Sequence, residues 1–273
     1  MLIEAADLLA RMKAGEKFIT VDVRDKALWQ QRTLPGAYHL NVYDYFIPDS
    51  TEFGIQQMAN AFQHAWQQLK LSDGVTPVFF EQQVGMRSPR GAWFAQFARI
   101  QEVYILNGGL DAWLSAGGEL LPGNGYSATV DLDFTDVACR KKGDGLLVAT
   151  RDEVINAQAK GATLIDARRP SEFYGEFAHD CCPRAGRIPG AVLLFWEDVL
   201  QNGAIIDAAS LRQLAGLVGL SPQRRLIIYC HRGARAATVY AALKVAGYEN
   251  LAIYVGSWHE WAEHSELPIL TGR

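Results

Sequence analysis

Leu226-Ile227-Ile228-Tyr229-Cys230-His231-Arg232-Gly233-Ala234-Arg235-Ala236-Ala237-Thr238-Val239-Tyr240-Ala241-Ala242-Leu243 reads as an apolar run, a short loop with one glycine, and an alanine-rich segment. The run predicts a buried strand, and the segment after Gly233 predicts a helix. Cys230 then lies between a strand end and a helix start. Backbone N–H groups of such a loop converge on a common centre, and the helix N-terminus adds partial positive charge, so a thiolate or a bound oxyanion is stabilised there. Arg232 and Arg235 add full charges. A cysteine in this setting is a candidate nucleophile. The competing reading is an inert cysteine at the end of a core strand; two arginines and a glycine within five residues weigh against it.

Working outward, the chain contains two copies of one unit. Phe18-Ile19-Thr20-Val21-Asp22-Val23-Arg24 is answered by Thr163-Leu164-Ile165-Asp166-Ala167-Arg168, each an apolar run ending in Asp-x-Arg. Leu34-Pro35-Gly36-Ala37 pairs with Ile188-Pro189-Gly190-Ala191, each expected to turn into a short strand. Asn107-Gly108-Gly109-Leu110-Asp111-Ala112-Trp113 corresponds to Val255-Gly256-Ser257-Trp258-His259-Glu260-Trp261. The offset of about 150 residues fits a tandem duplication and not a solenoid of short repeats. Leu121-Pro122-Gly123-Asn124-Gly125-Tyr126 suits neither helix nor strand and is read as the boundary. Domains are therefore expected at 1–121 and 146–273, joined by a linker and connecting strand over 122–145. That strand is placed around 130–134 and a turn at 141–145. Thr150-Arg151-Asp152-Glu153 has capping-box spacing and predicts a helix start. Apolar runs alternating with helical patterns predict α/β architecture, two doubly wound domains, each a small parallel sheet flanked by helices. In such sheets ligands bind beyond the carboxyl ends of the strands.

Composition narrows the function. With 273 residues, 49% of them hydrophobic and 21% charged, the chain suits two globular domains and not a disordered or fibrous protein. A net charge of −4, from 26 basic and 30 acidic residues, offers no electrostatic grip on nucleic acid. No apolar run reaches the ~18 residues of a membrane span, and Met1-Leu2-Ile3-Glu4-Ala5-Ala6-Asp7 has neither a basic n-region nor a cleavage site. A cytoplasmic protein without membrane contact is expected. Four cysteines with no CxxC pair do not make a disulfide scaffold.

Taken together, the Cys230 to Arg235 loop, Asp166-Ala167-Arg168, Arg187-Ile188-Pro189-Gly190-Ala191 and the Gly256 to Trp261 segment resemble tandem-domain rhodanese-type sulfurtransferases, and the resemblance covers both halves. In that family the C-terminal domain carries the catalytic cysteine and the N-terminal copy is usually inactive. Here Val78-Phe79-Phe80-Glu81-Gln82-Gln83-Val84-Gly85-Met86-Arg87 has Glu81 where Cys230 would be. A carboxylate cannot hold a persulfide, so the first domain is expected to be non-catalytic. The resemblance implies that Cys230 attacks the outer sulfur of thiosulfate, releases sulfite and passes the sulfur to cyanide or a thiol. His231, Arg232, Gly233, Ala234 and Arg235 would bind substrate, with Asp166, Arg168 and Arg187 in support. No cofactor is implied. A protein sulfur acceptor is a further option, and a monomer is the simplest assembly.

Mercaptopyruvate sulfurtransferases are similar but typically follow the cysteine with Gly-Ser-Gly-Val-Thr, whereas His231 and Arg232 stand here. A cationic loop favours doubly charged thiosulfate. Six residues past Asp166, where several family members place a substrate-contacting arginine, this chain has Glu172; Arg168, Arg169, Arg184 or Arg187 would have to compensate. Arg235 either binds the anion or braces the loop. Cysteine phosphatases use Cys-x5-Arg, one residue longer than Cys230-x4-Arg235, so the smaller ring suits sulfur better than phosphate. A persulfide carrier without turnover is the third class.

Weaker signals carry two readings each. Cys181-Cys182 either resolves the persulfide, or protects Cys230 by oxidation, or is incidental. His179, Cys181 and Cys182 suggest a metal only faintly, lacking a fourth ligand, and no metal is expected. Trp196, Trp258 and Trp261 are read as packing and not as a ligand cage, and His259 and Glu260 as structural. His231 either moves a proton or points to solvent. Asp166 and Arg168 are expected to pair beneath the active loop.

Overall fold

Leu34-Pro35-Gly36-Ala37 and Ile188-Pro189-Gly190-Ala191 fold alike in the computed structural model, which describes residues 1–47, 49–70, 74–130 and 145–273. The Ala37 and Ala191 N–H groups donate to the carbonyls of Leu34 and Ile188 at 3.0 and 3.1 Å. Gly36 and Gly190 take φ of 72° and 77°, which L side chains rarely adopt, so glycine follows proline in both turns. Each turn leads into a strand.

The elements run β1 (Leu2–Glu4), α1 (Ala5–Lys13), β2 (Phe18–Asp22), α2 (Lys26–Gln31), β3 (Tyr38–Asn41), α3 (Glu52–Gln68), β4 (Thr76–Phe80), α4 (Arg87–Phe97), β5 (Tyr104–Asn107), α5 (Gly109–Ser115) and β6 (Ser127–Thr129). They continue with β7 (Val148–Ala149), α6 (Arg151–Ile155), β8 (Thr163–Asp166), α7 (Pro170–Tyr174), β9 (Val192–Leu193), β10 (Leu200–Gln201), β11 (Ala204–Ile205), α8 (Ala208–Leu217), β12 (Leu226–Tyr229), α9 (Ala234–Val245), β13 (Leu251–Tyr254) and α10 (Ser257–Glu263).

Two compact units result. The first comprises Met1–Tyr45, Gln57–Gly143 and Leu200–Ile205; the second comprises Phe46–Gln56, Asp144–Val199 and Ile206–Arg273. The first sheet is ordered β1-β5-β4-β2-β3-β6 and the second β7-β13-β12-β8-β9, all pairs parallel. Matching strands by the repeated motifs, the two orders are the same except for β6. That strand comes from the stretch read as linker. Its Ser127–Thr129 pair with β3, and just before it the Leu121 N–H and carbonyl both bond Thr33, so this segment is tied to the first sheet. The connecting strand and turn expected further on fall, apart from Val130 and Gly145, outside the described residues.

Helices flank both sheets, which explains why their central strands are continuously apolar. Every residue of β12 and β13 is buried, and α9 is buried from Ala236 to Leu243, its alanines allowing close approach to β12 and β13. Thr150 caps α6, its Oγ1 accepting from the Glu153 N–H at 3.1 Å, as the spacing requires. In the second unit the chain passes from β8 outward to β9 and then returns to β12 on the other side of β8. In open α/β sheets such a reversal marks where ligands bind, here beyond the carboxyl ends of β8 and β12. Trp258 and Trp261 pack in the core of this unit, each 2% exposed. Trp196 is half-buried and outside that cluster. Among the described residues no helix is long and apolar enough to cross a membrane.

Candidate active site

Cys230 follows β12 directly and Ala234 begins α9, so His231, Arg232 and Gly233 form the whole connection. Gly233 takes φ of 90° as the residue before the helix, a conformation that turns its N–H inward. That N–H donates to Cys230 Sγ at 3.0 Å. The cysteine is 1% exposed. Its own N–H donates to Ser257 Oγ at 3.3 Å, and this hydroxyl donates to the Tyr254 carbonyl at 2.9 Å. The loop carbonyls of Cys230 and His231 accept from the N–H groups of Trp258 and His259 at 2.9 and 3.0 Å. The first turn of α10 thus clamps the loop.

The equivalent first-unit loop shows what this backbone is built to hold. Glu81 Oε1 accepts from the N–H groups of Gly85, Arg87 and Ser88 at 3.0, 3.0 and 2.8 Å, and from Ser88 Oγ at 2.9 Å. Burial pushes this carboxyl up, with the Ser88 and Gly85 bonds pulling against it. Leu110 and Asp111 N–H groups bond the Glu81 and Gln82 carbonyls, as Trp258 and His259 do in the second unit. Gly109 and Ser257 occupy matching positions with φ of 61° and 54°. Glycine there is unsurprising. Serine in a left-handed conformation, fully buried, is strained, and its hydroxyl holds the Cys230 N–H. In the sequence Ser257 belongs to the repeated segment, and its departure from Gly109 is the only signal of this role.

The arginines divide into distinct tasks. Arg235 forms a bidentate pair with Glu172, Nη2 to Oε1 at 2.9 Å and Nη1 to Oε2. Burial opposes ionisation of Glu172, but the Arg235 bonds and charge, then Arg168, outweigh it and hold the carboxyl at about 2. Burial likewise opposes the Arg235 charge, yet the Glu172 hydrogen bonds and then the Cys230 sulfur raise its pKa. Glu172 therefore orients a cation beside the cysteine. Arg168 pairs with Asp166, Nη2 to Oδ2 at 2.7 Å and Nε to Oδ1 at 3.0 Å, and its Nη2 also donates to the Gly186 carbonyl at 2.7 Å. Its guanidinium lies 4.4 Å from the Trp258 ring, so this buried pair braces α10 under the loop. Arg184 donates to the carbonyls of Trp261, Ala262, His264 and Leu267. Arg187 donates to the Gly272 carbonyl at 2.6 Å and stacks on Phe173. Both therefore hold backbone, and Arg169 is exposed. Arg232 lies 4.1 Å from the Phe46 ring.

His231 does not point to solvent. Its ring is 4.1 Å from that of His179 and 6.0 Å from that of His259, and Cys181 and Cys182 lie against its nitrogens. Burial first, then the His179, Arg232 and Arg235 charges, push its pKa down to about 3, so it is neutral at physiological pH and carries no acid proton. Burial and then Cys181 push Cys182 up to about 12. Glu260 accepts from the Ser50 N–H and Oγ at 2.9 and 2.8 Å, a bracing role consistent with its sequence reading.

The rhodanese-like domain model matches twice, over residues 4–116 and 150–264. A putative thiosulfate sulfurtransferase, SseB, of Mycobacterium tuberculosis is 30% identical over 100% of this chain and 97% of that protein. A probable 3-mercaptopyruvate sulfurtransferase of Pseudomonas aeruginosa is 30% identical over 83% of this chain and 75% of that protein. The crystal structure of a probable thiosulfate sulfurtransferase superposes with a TM-score of 0.70 at 26% identity, covering 93% of this chain and 97% of that one. With both units matched by the same domain, the chain belongs to the rhodanese-like sulfurtransferase family as a tandem member.

Proposed function

We propose that the protein transfers the sulfane sulfur of thiosulfate to a thiophilic acceptor through a persulfide on Cys230. The observation that carries this is the Gly233 N–H donating to Cys230 Sγ at 3.0 Å in a three-residue loop that contains Arg232 and leads into Arg235. The Cys230 thiolate attacks the outer sulfur of thiosulfate. The S–S bond breaks, its electron pair leaves with sulfite, and the sulfur remains as an enzyme persulfide. Cyanide or a thiolate then attacks the outer sulfur and restores the cysteine thiolate, a ping-pong sequence. Loop N–H groups stabilise the terminal sulfur as an oxyanion hole stabilises oxygen. Arg235, oriented by Glu172, supports negative charge at the cysteine, and Arg232 is the cation that draws the dianionic donor.

Thiosulfate is preferred to mercaptopyruvate because the loop carries cations where the latter's relatives carry serine and threonine. The sealed position of Cys230, 1% exposed, suits a small donor better than a macromolecular one. The first unit is proposed to be non-catalytic, since Glu81 occupies its own loop. Intact-protein mass decides the reading. Thiosulfate is expected to add one sulfur to wild type and none to Cys230→Ser, and cyanide is expected to remove it. No gain on wild type overturns thiosulfate as donor and leaves mercaptopyruvate as the next donor to assay.

A further inference from the structure

Four soft ligands meet in the second unit beside the active loop. Cys181 and Cys182 come from the loop between α7 and β9, His231 follows the nucleophile, and His259 lies in the first turn of α10. Cys181 Sγ is 3.5 Å from His231 Nε2, Cys182 Sγ is 3.7 Å from His231 Nδ1, and the two sulfurs are 4.0 Å apart. With one atom taken from each of the four side chains, all lie within 4.8 Å of one another. Ligands around a tetrahedral zinc, at bond lengths of ~2.0–2.3 Å, stand about 3.3–3.8 Å apart. The two sulfurs approach different nitrogens of His231, so ligation requires the imidazole to turn and present one nitrogen to both.

We propose that Cys181, Cys182, His231 and His259 form a tetrahedral site for a zinc-class divalent cation, contributing two thiolates and one ring nitrogen from each histidine. A second observation points to a ligand. Nδ1 of His259 is buried with no hydrogen-bond partner among the described residues, an orphan that a metal bond satisfies. The donor set selects among cations. Two thiolates and two imidazoles suit zinc and reject the oxygen-seeking magnesium and calcium. Binding expels the two thiol protons to solvent, so a divalent ion adds no net charge near Arg232 and Arg235. No redox step is involved.

In sequence, His179, Cys181 and Cys182 lack a fourth ligand of suitable spacing, which is why no metal is expected there. The fold supplies His231 and His259 and leaves His179 outside the set. Because His231 is bonded to Cys230, occupancy of the site would also fix the backbone at the nucleophile.

The test reads the metal and not turnover, so it stands or falls apart from the sulfurtransferase reading. Cobalt(II) is titrated into reduced, chelator-treated full-length protein and followed by absorbance, with zinc as competitor. One equivalent with the intense visible bands of tetrahedral cobalt and a thiolate charge-transfer band is expected, reversed by zinc. Cys230→Ser should keep this spectrum. The double variant Cys181→Ser, Cys182→Ser should lose it while keeping its circular dichroism, and His259→Ala should weaken binding beyond the roughly 10–100-fold typical of outer partners. The proposal is overturned by a weak octahedral spectrum, by no binding, by full retention in the double serine variant, or by loss in Cys230→Ser. A doubly substituted chain that fails to fold leaves His259→Ala to decide.

Discussion

Glu172 departs from the substrate-contacting arginine that the sequence resemblance leads one to expect, and in the structure it positions Arg235 instead. Its acid sensitivity follows from the shift. A carboxyl held at about 2 in the folded protein and near 4.5 when unfolded stabilises the fold fully above 4.5 and loses that contribution as pH falls toward 2. Glu172→Gln, which keeps one acceptor but removes the charge, is expected to lower stability by about 2 kcal/mol at neutral pH, the scale of a charge-assisted hydrogen bond. The gap between wild type and variant should shrink between pH 4.5 and 2. Urea unfolding at a series of pH values measures both, and a gap that does not change with pH rules out the ion pair as its source. Slower persulfide formation at neutral pH is expected alongside, because Arg235 loses its orientation.

At the scale of elements, the strand-loop-helix of each unit shares a backbone but cradles a different side chain, the Glu81 carboxyl in one and the Cys230 sulfur in the other. The neighbouring turn shows what the second copy gained. Ser257 accepts a strained φ of 54° where the first copy uses Gly109, and its hydroxyl anchors the Cys230 N–H. Ser257→Gly should therefore relieve strain on the order of 1 kcal/mol while removing the anchor. Stability is expected to hold or rise, and the rate of persulfide formation to fall about tenfold, as loss of one neutral hydrogen bond implies. Stopped-flow sulfite release and thermal unfolding read the two effects separately. A variant that is less stable yet fully active would make Ser257 a packing residue only. These elements were largely legible beforehand, because Pro-Gly turns, the Thr150 cap and the β12-Cys230-α9 join are each set by neighbours in sequence. The Glu172 to Arg235 pair spans 63 positions and the Cys181 to His231 contact spans 50, distances at which spacing carries no information. A histidine beside a nucleophile therefore read as a proton carrier or as surface, and only packing revealed its company of thiols.

Across the whole molecule, the same buried pair is built twice. Arg24 meets Asp22 at 2.7 Å and Arg168 meets Asp166 at 2.7 Å, each arginine also donating to a backbone carbonyl, of Arg32 and of Gly186. Thr33 Oγ1 adds a bond to Asp22 at 2.7 Å in the first copy. Duplication thus kept the strand-end device that holds each unit together, while the chemistry diverged in the loop above it. Removing one partner of a buried ion pair leaves an uncompensated charge and costs about 3–5 kcal/mol. Asp22→Asn and Asp166→Asn are expected to destabilise the chain to that similar extent in urea. Their effects on sulfur transfer should differ. Only Asp166→Asn releases Arg168 from beneath Trp258, so only that variant should lose persulfide formation by mass, at a temperature where circular dichroism finds both chains folded. Equal loss of transfer in Asp22→Asn would mean that the first unit takes part in the reaction despite Glu81; an unchanged rate in Asp166→Asn would free the active loop from its dependence on this pair.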